Sequence, residues 1–85
     1  MLPAAFVHEG SGAVRFWVLN EAGEALGAII SQQTLRYRFK AREDGSDALA
    51  TYAAHRDEID QAVLRRYASG SREPVMLREN DLPRG

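Results

Sequence analysis

Cysteine is absent from this chain, which excludes disulfides, thiolate metal sites and thiol catalysis together and fits a reducing compartment. No apolar run approaches the roughly 18 residues that a membrane-spanning helix needs. The opening MLPAAFVHEG has neither the basic flank nor the long apolar centre of a signal peptide. The expectation is a soluble, cytoplasmic protein with no membrane partner. Charge of one sign is not in excess either. Eleven basic residues face twelve acidic ones for a net charge of -1, so the field of the whole molecule gives no pull towards nucleic acid. Lysine is nearly missing, Lys40 being the single one. Internal repeats, low-complexity tracts and linkers are not seen.

What is present suffices for one small globular domain. The 85 residues are 45% hydrophobic and 27% charged, a balance that disfavours disorder throughout. The expected ordered core is about 13–78, with 79–85 as a loosely held tail. Ala4 to His8 is a short apolar piece before the turn-like Glu9-Gly10-Ser11-Gly12, either an edge strand or a tucked terminus. Ala13 to Leu19 alternates as a strand should, Val14, Phe16 and Val18 on one face and Arg15, Trp17 and Leu19 on the other. Asn20 to Gly23 suits a hairpin loop with Gly23 in the left-handed region. Glu24 to Ile30 returns as the second strand, where Gly27 marks a bulge or a close backbone approach.

Ser31 stands where an N-cap belongs, ahead of a short helix from about Gln32 to Phe39 that buries Leu35 and Phe39. The pattern from Asp47 to Ala68 predicts one long amphipathic helix. An advance of about 100° per residue puts Leu49, Tyr52, Ala53, Ile59, Val63, Leu64 and Tyr67 in one arc. Gly70 is the stop. Arg56 is a fault in that arc, with His55 at its edge. Pro74 to Arg78 fits a last strand. The order implies an α+β fold: a small antiparallel sheet of the hairpin plus the C-terminal strand, with one short and one long helix on one face.

On these residues the chain resembles a small bacterial family, domain of unknown function family 1488. The features that carry the resemblance are Ala28-Ile29-Ile30-Ser31, Leu35 with Phe39, the pair His55-Arg56 followed by Ile59 and Ala62, and the closing Asp81-Leu82. Members often have cysteine in place of Ala28 and commonly glycine in place of Lys40. The resemblance implies a small α+β domain and no stated activity.

The candidate sites are few. Arg56 has two readings: it clamps the tail or a loop through Asp60 or Asp81, or it forms an anion site with His55. His55-Arg56-Asp57 spells the triplet of a kinase catalytic loop, but a chain this short has no room for a nucleotide-binding lobe. His55 with Asp57, Glu58 and Asp60 lacks metal-ligand spacing. The five serines sit at loops or caps outside any nucleophile motif, and Gly10, Gly12 and Gly45 form no phosphate fingerprint. The expectation is no enzyme, no metal and no cofactor.

Two binding surfaces compete. Trp17, Leu19 and Ile29 would form a protein-contact or self-association surface if helices cover only the other sheet face. The alternative is a nucleic-acid or anion-binding module using Arg36, Arg38, Lys40 and Arg42, with Tyr37 and Phe39 interleaved for stacking.

Overall fold

The computed structural model describes residues 3–40, 47–78 and 81–82. The elements follow in the order β1 (Phe6–Val7), β2 (Val14–Leu19), β3 (Ala25–Ile30), α1 (Gln32–Phe39), α2 (Ala48–Ala54), α3 (Arg56–Ala68) and β4 (Val75–Leu77). The hairpin forms as its turn chemistry dictates. Gly23 takes φ +79° and its N–H donates to the Asn20 carbonyl at 3.0 Å. The β2–β3 register then runs unbroken from Val14↔Ile30 to Leu19↔Ala25. Gly27 therefore sits in no bulge. A Cβ there would stand 3.6 Å from the Trp17 Nε1, an ordinary van der Waals distance, so no close backbone approach requires glycine either.

The sheet has the order β1-β2-β3-β4, and the expectation of an all-antiparallel sheet fails at its last strand. β4 lies parallel to β3, with Val75 opposite Ala28 and Leu77 opposite Ile30. Three helices intervene between these strands, and such a crossover returns the chain to the end from which β3 began.

One sheet face carries the helices. Val14, Phe16, Val18, Ala28, Ile30, Val75 and Leu77 meet Leu35, Ala48, Tyr52, Ile59, Ala62 and Val63 in a single core. Ser31 caps α1 by accepting the Thr34 N–H at 3.0 Å, and Leu35 is fully buried with Phe39 packed at the core margin. Lys40 ends α1 in the left-handed conformation, φ 56° and ψ 35°. Asp47 precedes α2 without a side-chain cap bond. Residues 41–46, between Lys40 and Asp47, lie outside the described residues.

The single long helix is also corrected. It breaks at His55 (φ −116°, ψ 23°) into α2 and α3. The break lies one residue before the fault in the apolar arc, and it re-phases the two halves. Ala48 and Tyr52 face the core from α2, and Ile59, Ala62 and Val63 from α3, while Leu49 and Tyr67 are left exposed and Arg56 is released to solvent. Burying a guanidinium in a continuous stripe would cost several kcal/mol by order of magnitude, so the bend is the cheaper arrangement. The loose tail is corrected at two positions: Leu82 is buried in the core, and Asp81 is bonded to α3.

Candidate functional site

The second sheet face bears no helix. Cross-strand register places Phe6, Arg15, Ile29 and Met76 in one row across all four strands, with Trp17 and Leu19 further along β2. Trp17, Leu19 and Ile29, the sequence-derived surface, thus share this open face. Phe6 is 47% exposed, Leu19 53% and Met76 61%, whereas Trp17 and Ile29 are half-buried. Sequence reasoning missed Phe6 and Met76. Their signal was alternation within β4, where Val75 and Leu77 point inwards and Met76 outwards, once β4 is given a place in the sheet.

Trp17 is held by its neighbours rather than free. Its ring centroid lies 6.0 Å from that of Phe6, and the Arg15 guanidinium carbon lies 6.0 Å from the indole centroid. Arg15 is the charged residue of this cluster. Its Nε is shut off from solvent with no hydrogen-bond partner among the described residues.

Arg38 is half-buried, Arg36, Tyr37 and Lys40 are exposed, and Arg36 and Arg38 are each already engaged in a contact within the chain. Arg42 lies outside the described residues. Tyr37 is 74% exposed beside a shallow cleft shared with Gln33 and Arg36.

Arg56 takes Asp60, the nearer of its two expected partners, and leaves Asp81 to others. Arg56 Nε donates to Asp60 at 3.4 Å within its own helix, on the exposed side. The tail is clamped instead by Arg66, whose Nη1 lies 3.1 Å from both carboxylate oxygens of Asp81, and by Arg65, which donates to the Asp81 carbonyl at 3.2 Å. The Arg78 N–H closes the arrangement by donating to the same carboxylate at 2.9 Å. His55 does not converge with Arg56 on a common partner. Its ring stacks on Phe39 with centroids 4.2 Å apart and planes at 18°, and its Nδ1 is 3.9 Å from Glu58.

Asp60 joins a second polar group to the core margin. Tyr52 Oη donates to it at 3.3 Å. Burial, reinforced by the negative charge of Asp60, pushes the Tyr52 hydroxyl up to about 12. Burial also raises the Asp60 carboxyl above the usual carboxylate range, against the opposing pull of the Arg56 charge. Tyr52, Arg56 and Trp17 line a cavity of about 190 Å³ together with Phe16 and Pro3 to Ala5. Among the described residues no group of three His, Asp or Glu is arranged to hold a metal ion, and no helix is long and apolar enough to cross a membrane.

No curated relative and no solved structure matches the chain. Over residues 6–77 it matches the family described as "Protein of unknown function (DUF1488)", and it belongs to that family.

Proposed function

We propose that this domain is a non-enzymatic protein-interaction module that contacts its partner through the open sheet face. The observation that carries this reading is the row Phe6, Ile29 and Met76 with Trp17 and Leu19, apolar side chains left in water on a sheet whose other face is fully packed. The orphaned Arg15 Nε supports it, since a buried donor without an acceptor is costly and a partner's acceptor would satisfy it. Affinity capture from the native cell tests the reading, comparing the wild type with a Leu19→Lys/Met76→Lys variant. The expected result is a protein retained by the wild type and lost by the variant. Retention of the same proteins by both would overturn it. Retention of nucleic acid alone would favour the basic segment around Arg36 and Tyr37 instead.

A further inference from the structure

Arg15 stands in the row that crosses the open sheet face, between Phe6 and Ile29 with Met76 beyond. Four neighbouring strands make such a row about 14 Å wide, and from Arg15 to Leu19 the face runs about 13 Å along β2. A helix is about 10–12 Å across and rises about 5.4 Å per turn, so the patch is about one helix wide and two to three turns long. A sheet face offers side chains and no main-chain groups. A strand laid on it would leave its own N–H and C=O groups unpaired, whereas a helix satisfies its backbone internally. The domain already covers its other face in this way, with side chains of α1, α2 and α3.

Charge narrows the partner further. Among the outward-facing positions of the four strands Arg15 is the charged residue, and no Asp or Glu is present. The Arg15 Nε is shut off from water without an acceptor. Its terminal nitrogens, also without a hydrogen-bond partner among the described residues, are not shut off. A second copy docked face to face would bring another Arg15 and no carboxylate, placing like charges in an apolar contact. A carboxylate on a different partner would take the planar guanidinium in a charge-assisted pair, while apolar side chains around that acid cover Phe6, Ile29 and Met76.

We infer that the open face receives an amphipathic helix of a partner protein, and that this helix carries one acidic residue within its apolar stripe to pair with Arg15. The inference deepens the protein-interaction reading and rests on it. It gives the partner a chemistry, an apolar stripe interrupted by an acid, and it sets aside a second copy of this chain as the occupant.

The probe is the capped peptide Leu-Ala-Gln-Leu-Leu-Ala-Gln-Glu-Ala-Gln-Leu-Leu-Ala, stapled across its polar face because a helix this short is marginal in water, with a Gln-for-Glu version as control. Each peptide is titrated into isotope-labelled full chain and followed by amide NMR. Shifts are expected at Phe6, Ile29, Met76 and the Trp17 indole, with the Glu peptide bound several-fold more tightly than the Gln peptide. Arg15→Met should abolish that preference and Arg15→Lys should keep part of it, in chains whose amide spectra are otherwise those of the wild type. Equal binding of the two peptides by the wild type would overturn the pairing with Arg15. An open face unmoved at millimolar peptide would overturn the helix assignment, as would wild-type dimers in light scattering that Leu19→Lys/Met76→Lys abolishes. The interaction reading survives each of these results and fails only by the separate capture experiment.

Discussion

At the scale of single residues, arginines of similar appearance in the sequence have different duties. Arg66 and Asp81 form a part-buried pair, and Asp81 accepts from the Arg78 N–H as well. Arg66→Ala is expected to cost about 1 kcal/mol in urea unfolding, and Asp81→Ala up to about 2 kcal/mol because it also removes the acceptor of the Arg78 N–H. Arg56→Ala, at an exposed pair within one helix, should cost less than about 0.5 kcal/mol. The reverse ranking would return the clamp to Arg56. Tyr52 supplies a pH prediction whose sign is fixed. The unfolded hydroxyl ionises near 10.0 and the folded one near 12, so in that window the unfolded chain releases the proton first. The stability from the buried, protonated hydroxyl is complete below pH 10.0 and lost as pH rises through 12. Relative to Tyr52→Phe, the wild type should lose on the order of 2 kcal/mol across the window, measured by urea unfolding at several alkaline pH values.

At the scale of elements, what was legible is what is decided locally. The hairpin follows from Gly23, and α1 from Ser31 at its start and the Leu35-Phe39 spacing, each a signal contained within a few residues. The parallel direction of β4 was not legible in this way, because it depends on where α3 delivers the chain. The helical connection before the last strand was the available clue, since a crossover of that length permits a parallel return. The break at His55 lacks the usual glycine or proline, and its mark in the sequence was a charge in an apolar arc, which reads equally as a site. The Arg66–Asp81 clamp was hidden for a related reason: its partners are 15 residues apart and meet only through the tertiary fold. Lys40 shows an element boundary that the sequence satisfies poorly. Its left-handed backbone suits glycine, the residue expected there in relatives, and costs a side-chain-bearing residue about 1 kcal/mol. Lys40→Gly should therefore stabilise the fold by up to about 1 kcal/mol, read as a rise in melting midpoint of about 4–8 °C for a domain of this size.

At the scale of the whole molecule, the asymmetry between the two sheet faces has a consequence that separates stability from association. Side chains on the helix-bearing face, such as Val14 and Ile30, are fully buried, so a charge introduced there would unfold the domain. Leu19 and Met76, 53% and 61% exposed, contribute little to the core, and solvent already reaches most of each side chain. Leu19→Lys/Met76→Lys should accordingly leave the unfolding free energy within about 0.5 kcal/mol per substitution. If the open face mediates self-association, light scattering over a concentration series should show the wild type growing in mean mass and the variant staying monomeric. A monomeric wild type at high concentration would assign the face to a different partner. A variant that associates as the wild type does would remove the face from self-association, because two lysines in a row of apolar side chains cannot be buried between copies without loss of their hydration.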